Sequence, residues 1–381
     1  MEWVILIAKA LMVYVWRKRM SEPTQEEVIS IVSSQFEVTN VDLTLDTLKF
    51  KVEDKEFKSK FVALAQKLEA RDLVCRMEKS SGGMYILVNR FPPRKPRKWL
   101  SSSWTPRILF AIVVGLVMID GYYRTIGANS VVNIGDPFDI AVIYTISLLG
   151  ILGIHETGHL IAARLHRLKT SWPYFIPGIP IYGIPTFGAV ITSRGLTVNR
   201  HILYDVAIAG PIAGLVIAII VSMYGAYTAP VITDNLADDL FSRSELIEMN
   251  EPLLMKASLA IFGKGGNGEE VIMTPVLFAA WLGFLITFLN LLPAWQLDGG
   301  HMARALFGPK IHRIGTYASI GILVILGYFI MAMFILLLSS RNASAMPLDD
   351  VSPVPKNRKI LYVIVVVLAI LCAPIPPGIL P

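Results

Sequence analysis

The sequence predicts a polytopic α-helical membrane protein of about six to seven transmembrane helices with a re-entrant strand or hairpin, and a small soluble α+β domain near its N terminus. Hydrophobic residues fill 54% of the 381 positions and charged residues only 17%, whereas soluble domains carry about 25% charged residues. Several apolar runs are long enough to cross a bilayer as helices. Residues 20–93 interrupt this pattern with the mixed composition of a soluble domain.

The first 19 residues predict a membrane anchor. Residues 3–16 are apolar apart from Lys9, and Arg17-Lys18-Arg19 follows at once. The run is short for a span and no small-residue cleavage site follows it, which favours an anchor helix over a cleaved signal peptide. A helix lying in the plane of the membrane interface is the alternative.

Residues 20–93 predict the soluble domain through successive helix and strand patterns. We expect a helix from Thr24 to about residue 34, two short strands within 38–52, a helix over 55–71, and a hairpin pairing 73–77 with 84–88 across Ser81-Gly82-Gly83. These residues carry no catalytic constellation, so we interpret the domain as regulatory or substrate-filtering. Residues 94–107, rich in Pro, Arg and Lys, are the predicted basic linker.

A membrane-embedded domain is predicted over residues 108–373, followed by a C-terminal tail at 374–381. The expected spans are 108–126, 139–163, 202–228, 273–293, 314–338 and 359–373. Cytoplasmic loops are enriched in Lys and Arg. Residues 164–200 contain five Lys or Arg and no acid, whereas residues 229–272 contain eight acids and three bases. The alternation predicts a multi-pass protein of the cell membrane, with the soluble domain and Asp298 on the cytoplasmic side.

The net charge of +6 is concentrated ahead of the spans. Residues 17–107 contain 18 Lys or Arg against 12 Asp or Glu. A basic block beside apolar spans is typical of a cytoplasmic flank near anionic lipid. No nucleic-acid-binding motif accompanies the charge, so nucleic acid is not an expected partner. Cys75 and Cys372 lie far apart and predict neither a disulfide framework nor a thiolate zinc site.

Residues 175–192 predict a re-entrant segment. They are apolar yet contain three prolines and three glycines, which exclude a helix, and irregular backbone cannot face lipid. We therefore expect a strand or hairpin, shielded by protein and lying against the functional site. An open strand edge here could hold an unwound substrate extended. An ordinary apolar cytoplasmic loop is the alternative.

The motif His155-Glu156-Thr157-Gly158-His159 lies inside the apolar span 139–163. Residues four apart share one helix face, so His155 and His159 can bind one metal ion while Glu156 reaches a water beside it. The alternative is that the two histidines and the glutamate are hydrogen-bonded structural residues in a helical core. Ionisable groups at membrane depth are costly and usually functional, which favours the metal site. At 1.5 Å per residue, His155 lies roughly 14 Å below the basic rim that begins at Arg164.

Asp298 is the predicted third ligand. Catalytic zinc sites take three protein ligands plus water, and Asp298 is the best-placed carboxylate on the cytoplasmic side. Pro293 and Gly299-Gly300 lead us to expect it on irregular backbone, where a helix cap or a solvated turn is the alternative role. The other acids near spans fall on the far side or fit a helix start: Glu2, Asp120, Asp136, Asp139 and Asp205.

The span 202–228 contains Gly210-Pro211-Ile212-Ala213-Gly214. Glycines four residues apart form a small face that lets another helix approach closely, so we assign them a packing role. The remaining histidines are expected to be surface or capping residues, and of these only His301 is a candidate to contact a metal ligand: His166, His201, His301 and His312.

With these motifs the sequence resembles the site-2 protease family of intramembrane zinc metalloproteases. The HETGH segment, the AGPIAG segment and NLLPAWQLDGGH occur in that family's order and spacing, over roughly residues 105–340. The NxxPxxxxDG pattern within the last of them lies in the predicted span 273–300. The front domain, Phe187-Gly188-Ala189-Val190-Ile191 and Asn199-Arg200 resemble the archaeal and chloroplast branch. The resemblance implies His155, His159 and Asp298 as ligands of one Zn²⁺ per chain, Glu156 as catalytic base, and Asn290 as a polar contact to substrate or oxyanion.

The predicted function is that of a zinc metalloendopeptidase that hydrolyses a peptide bond within or near a transmembrane helix of another membrane protein. Its expected partners are that substrate and the membrane lipids. A divalent-cation transporter is one alternative, although we find neither an internal repeat nor a chain of acids across the spans. A non-catalytic relative that binds membrane proteins is another, and the intact Glu156 counts against it.

Overall fold

A computed structural model describes residues 23–44, 47–54, 56–80, 82–90, 104–168, 170–180, 184–191, 198–242, 249–266, 268–341 and 347–375. The predicted anchor at residues 1–19 lies outside the described residues, as do most of the linker at 94–107 and most of the tail at 374–381. The chain divides into two compact units. One comprises Met1–Lys95 with Met346–Pro353, and the other comprises Pro96–Ala345 with Val354–Pro381.

The first unit is an antiparallel sheet with two helices. Its elements are α1 Gln25–Ser33, β1 Val38–Thr44, β2 Thr47–Val52, α2 Phe57–Glu69, β3 Leu73–Ser80 and β4 Gly83–Arg90, with sheet order β1-β2-β4-β3. A capping box starts α1, because Thr24 Oγ1 accepts the Glu27 N–H at 3.2 Å and the Glu27 carboxylate accepts the Thr24 N–H at 3.3 Å. These elements confirm the helices, strands and hairpin predicted between residues 20 and 93.

A distant piece of chain completes the edge of this sheet. The Met77 N–H on β3 donates to the Leu348 carbonyl at 2.8 Å, and Met77 pairs in parallel with Asp349. Asp349 is fully buried, and its Oδ1 accepts the N–H groups of Val351 and Ser352. Residues 346–353 fall within the predicted membrane-embedded domain 108–373 but belong to the first unit. The sequence alone does not place them there, because nothing local in them signals a pairing with a strand so far away.

The second unit is mostly helical. Its helices are α3 Thr105–Asn129, α4 Pro137–Leu165, α5 Arg200–Thr228, α6 Asp234–Ser242, α7 Leu253–Ile261, α8 Pro275–Leu291, α9 Asp298–Ile325, α10 Phe329–Arg341 and α11 Lys356–Cys372. Its strands form two antiparallel two-stranded sheets, β5 Tyr174–Ile179 with β6 Ile184–Val190, and β7 Val231–Thr233 with β8 Glu269–Val271. Helix α4 packs against α3, α5 and α8, around buried side chains such as Tyr144, Leu148 and Phe284.

Three of these helices, α3, α4 and α5, are long and apolar enough to cross a membrane, by length and composition among the described residues. Single helices also occupy the predicted spans 273–293 and 359–373. The prediction of one helix over 314–338 is wrong. Helix α9 ends at Ile325 and α10 begins at Phe329, because Gly327 between them has φ 82°, a conformation that ends a helix.

A polar cluster lies inside the helical unit and joins three helices. Asp120 Oδ2 on α3 accepts hydrogen bonds from Arg124 Nε at 2.8 Å and from the Tyr144 hydroxyl on α4 at 2.7 Å. The Arg124 guanidinium lies 3.5 Å from the centroid of the Phe278 ring on α8. Asp120 is buried, so this ion pair satisfies groups that would otherwise be costly in an apolar environment.

Strands β5 and β6 pair antiparallel as the β5–β6 hairpin, with Tyr174 opposite Val190 and Ile179 opposite Ile184. The hairpin packs on α3, where the rings of Phe175 and Phe110 lie 5.0 Å apart. Strand β6 lies within the segment 175–192, for which a strand or hairpin is predicted.

Candidate metal centre

The HExxH motif folds as part of α4, as its position in an apolar helical run predicts. His155 and Glu156 are buried, and His159 is partly buried. The four-residue spacing brings both imidazoles to one face, with ring centroids 4.9 Å apart and Nε2 atoms 3.2 Å apart. Thr157 is exposed, and its hydroxyl donates to the Gly153 carbonyl at 2.7 Å. Two potential metal donors therefore converge from a single turn of helix.

The carboxylate of Asp298 completes a group of three donors. Its Oδ2 lies 3.4 Å from Nε2 of His155 and 3.4 Å from Nε2 of His159, although it comes from a different helix. The side chains are shielded, with 7%, 14% and 15% of the His155, His159 and Asp298 side chains exposed. Among the described residues this is the group of three His, Cys, Asp or Glu donors that could hold a metal ion.

The spacing of these donors fits zinc. Two ligand atoms that each bind a tetrahedral zinc at about 2.1 Å stand about 3.4 Å apart. The three separations here are 3.2, 3.4 and 3.4 Å. Two imidazoles with one carboxylate are also the donor type of a catalytic zinc site, in which the fourth position stays open for water or substrate.

A backbone carbonyl fixes the orientation of His159. Nδ1 of His159 lies 2.8 Å from the Val206 carbonyl oxygen on α5. A carbonyl only accepts hydrogen bonds, so Nδ1 carries a proton, and Nε2 is the ring nitrogen that faces the other two side chains. Metal-binding histidines are commonly oriented by such a partner on the second ring nitrogen.

The glycines of the Gly210-Pro211-Ile212-Ala213-Gly214 segment make room for the two imidazoles. A Cβ at Gly210 would overlap the His159 ring, and a Cβ at Gly214 would lie 2.9 Å from the His155 Cβ. On the facing helix, a Cβ at Gly158 would lie 2.5 Å from the Ala209 carbonyl oxygen. The predicted packing role is thus specific to this site, because α5 approaches α4 directly over the His155 and His159 side chains.

Asp298 is the first residue of α9, which corrects the prediction of irregular backbone at this position. The irregular backbone is the preceding loop, residues 292–297. Gly299 and Gly300 do not break the helix but let it begin tightly against this loop, since a Cβ at either position would overlap backbone carbonyls of Leu291 and Ala294. The glycine pair therefore sets the start of the helix that carries the carboxylate.

Asn290 lies in the last turn of α8 and is partly buried. Glu156 lies one residue after His155 and is 9% exposed. The roles of both residues remain predictions.

Two of the remaining polar assignments are wrong. Asp205 does not start α5, because Asn199 caps that helix by accepting the Ile202 N–H at 2.9 Å. Asp205 instead lies near His166 and His201, at 3.3 and 3.5 Å, and pairs with Arg358 at 2.9 Å. His312 is not a surface residue, since it is 5% exposed and its Nε2 donates to the Trp295 carbonyl at 2.8 Å.

Comparison with known proteins identifies a family and several relatives of this sequence. Residues 143–334 match the model of peptidase family M50. The chain is 32% identical to the probable zinc metalloprotease EGY1, chloroplastic, of Arabidopsis thaliana over 241 residues, which are 62% of this chain and 43% of the relative. It is 30% identical to the probable zinc metalloprotease EGY2, chloroplastic, of Oryza sativa subsp. indica over 233 residues, 59% of this chain and 41% of the relative.

A third relative extends the matched part of the chain. The probable zinc metalloprotease EGY3, chloroplastic, of Oryza sativa subsp. indica is 27% identical over 297 residues, which are 72% of this chain and 48% of the relative. The chain therefore spans less than half the length of each of these relatives. No solved structure matches the chain.

Proposed function

The chain belongs to peptidase family M50, and from this membership we propose that it is an intramembrane zinc metalloprotease that hydrolyses a peptide bond within or near a transmembrane helix of another membrane protein. The observation that carries the proposal is the convergence of Asp298 with His155 and His159 from separate helices, at 3.4 Å from both Nε2 atoms. No described residue favours the cation transporter.

We assign His155, His159 and Asp298 as the zinc ligands. When bound, zinc supplies a Lewis acid that polarises the scissile carbonyl and acidifies a water molecule. His159 presents Nε2 to the metal because its Nδ1–H is held by the Val206 carbonyl. The burial of all three side chains keeps bulk water from competing for the ion.

Glu156 is the proposed general base. Its carboxylate takes a proton from the attacking water as the oxygen–carbon bond forms, and then delivers that proton to the amine as the carbon–nitrogen bond breaks. Glu156 directly follows His155 in α4, which supports a role beside the ligands rather than as one of them. Asn290 is the proposed donor of a hydrogen bond to the oxygen that gains negative charge.

The β5–β6 hairpin is the proposed re-entrant element that receives the substrate. Its apolar side chains remain exposed to a large extent, with Phe187 59% and Ile179 49% exposed. Exposed apolar surface of this kind is typical of an interaction site. A substrate helix that unwinds beside the hairpin can pair with a strand edge, which extends its backbone as proteolysis requires.

The active site is proposed to open toward the cytoplasm. Residues 164–200 contain five Lys or Arg and no acid, whereas residues 229–272 on the opposite ends of the helices contain eight acids. Positive charge favours the cytoplasmic side. The N-terminal unit then lies in the cytoplasm, where we propose that it regulates or filters substrates.

Replacement of the base tests this function. Glu156→Gln in liposomes with a labelled transmembrane substrate is expected to keep one zinc per chain and to lose cleavage. Thr157→Ala is the matched control, since Thr157 is the next residue of the same helix but is exposed, and it should cleave like the unmodified protein. Unchanged cleavage by Glu156→Gln would refute the assigned base, and metal flux that survives in this variant would support the transporter.

A further inference from the structure

We propose that His312 and Thr316 are positioning residues that hold the backbone of residues 293–297, here called the ligand loop, and thereby fix the metal ligand Asp298. This inference rests on the proposed function of Asp298 as a zinc ligand. Neither side chain belongs to the three-donor group, so each would act through the loop that leads into α9.

The ligand loop contains a conformation that needs support. Trp295 at its centre has φ 42°, in the left-handed region. A residue with a side chain pays about 1–2 kcal/mol to adopt this conformation, and it persists only where surrounding contacts enforce it. Trp295 precedes Asp298 by three residues, so a change in its backbone would shift the start of α9.

The described contacts that enforce this conformation come from one face of α9. The Trp295 N–H donates to Thr316 Oγ1 at 3.0 Å, and the Trp295 carbonyl accepts from His312 Nε2 at 2.8 Å. Thr316 and His312 are one turn apart, and the Thr316 hydroxyl donates to the His312 carbonyl at 3.0 Å. His312 and Thr316 are each only 5% exposed. Both backbone polar groups of Trp295 are thus satisfied by buried side chains.

A break in α9 explains how the same helix can both begin with Asp298 and hold the loop before it. Gly308 has φ 82° and ψ −176°, and Pro309 follows, so the axis changes between the first turns and the part that carries His312. The second part lies directly on the loop, because a Cβ at Gly315 would be 2.9 Å from the Pro293 carbonyl oxygen. Pro293, Trp295 and the later turns of α9 therefore form one packed layer.

The chemical consequence is control of the carboxylate position. Zinc–ligand distances tolerate only about 0.2 Å of error. If the loop relaxes, Asp298 Oδ2 leaves its position 3.4 Å from each imidazole nitrogen. Loss of a group that orients a metal ligand typically lowers metal affinity about 10- to 100-fold, and we expect this range for loss of either hydrogen bond to Trp295.

The test compares removal of each hydrogen-bonding group with a conservative rescue in the full-length protein. His312→Phe and Thr316→Val remove the donor and the acceptor, whereas His312→Gln and Thr316→Ser keep an N–H and a hydroxyl. Zinc affinity is measured by competition with a chromophoric chelator, and the geometry of the site by the visible spectrum of the Co²⁺-substituted protein. The removal variants should bind zinc about 10- to 100-fold more weakly with an altered Co²⁺ spectrum, and the rescue variants should resemble the unmodified protein.

Ser319→Ala is the matched control. Ser319 is a fully buried hydroxyl one turn further along α9 that donates to the Gly315 carbonyl at 2.8 Å. The Ser319→Ala variant should lower thermal stability as much as Thr316→Val does, yet leave zinc affinity and the Co²⁺ spectrum unchanged. If folded His312→Phe and Thr316→Val bind zinc normally, or if Ser319→Ala weakens zinc equally, the positioning role is overturned. Normal zinc binding by an unmodified protein that cleaves no substrate would instead refute the proposed function and leave this inference standing.

Discussion

Replacing Gly210 by Ala should separate metal binding from folding in this protein. The three atoms nearest to a Cβ at position 210 all belong to the His159 ring, and two of them, Cδ2 and Cε1, would be 2.5 Å away. Real Cβ contacts essentially never fall below 3.0 Å. The ring must therefore retreat by at least about 0.5 Å, which exceeds the roughly 0.2 Å that zinc–ligand bonds tolerate.

The ring cannot retreat without leaving its partners. Its Nδ1 is held 2.8 Å from the Val206 carbonyl oxygen, and its Nε2 lies 3.4 Å from the Asp298 carboxylate. In contrast, the helix itself should gain from the substitution, since Ala is favoured over Gly in a helix interior by about 1 kcal/mol. Loss of a group that orients a metal ligand lowers metal affinity about 10- to 100-fold. Gly210→Ala displaces the proposed ligand His159 itself, so it is expected to lower zinc affinity by more than about 100-fold while the protein stays folded.

The assay measures zinc per chain by mass spectrometry after dialysis, together with cleavage of a labelled transmembrane substrate in liposomes. Gly150→Ala on α4 is the matched control, because a Cβ there meets nothing within 4 Å, and it should retain both zinc and activity. A Gly210→Ala protein that holds one zinc per chain and cleaves at the normal rate would refute the argument that this glycine makes room for His159.

Three further outcomes follow from the structure. Asp298→Asn should reduce zinc affinity by more than about 100-fold in the chelator competition, and retention of normal affinity would exclude it as a ligand. Tyr144→Phe should lower the unfolding free energy in detergent–lipid mixtures by about 0.6 kcal/mol, which is the average for a hydrogen bond in a membrane protein. Asp120→Leu should lower it several times more, because it leaves the Arg124 charge without its partner. Equal effects of the two variants would contradict the cluster of Asp120, Arg124 and Tyr144. Burial raises the pKa of the Cys75 thiol to about 12, so in a Cys372→Ser background it should resist maleimide at neutral pH until the protein unfolds. Because an unfolded thiol ionises at lower pH, the unfolding free energy should also fall as pH rises toward 12, and rapid labelling of folded protein would contradict this burial.

The sequence was sufficient to predict the elements whose signals are local. The helix with His155 and His159 follows from a long apolar run, and the spacing of the two histidines on one face depends only on the geometry of one turn. The strands and helices of the first unit follow from patterns within a few residues. Asp298 could be predicted as a third ligand although it lies far from both histidines in the chain, because catalytic zinc needs a third ligand and most other acids near the spans are predicted on the far side of the membrane.

The assignments that failed depend on contacts between distant residues. Asp205 has the position of a helix-start residue in the sequence, and only the folded chain shows Asn199 in that role and Arg358 beside the carboxylate. His312 could not be linked to the ligand loop, since that contact requires the change of direction at Gly308. The spacing of Gly210 and Gly214 did signal a close helix approach, but it could not reveal that imidazoles are what lies between the helices.

The partner of Met77 in the edge strand has a consequence for how the protein is made. The Leu348 carbonyl that accepts the Met77 N–H leaves the ribosome only after about 270 further residues have been synthesised, which makes this pairing one of high sequence separation. During that interval the nascent sheet exposes an unsatisfied backbone donor along β3. The N-terminal unit is therefore expected to be completed only after the intervening hydrophobic segments have been translated. A ribosome-bound chain arrested before residue 348 should be more sensitive to proteases at β3 than the completed protein.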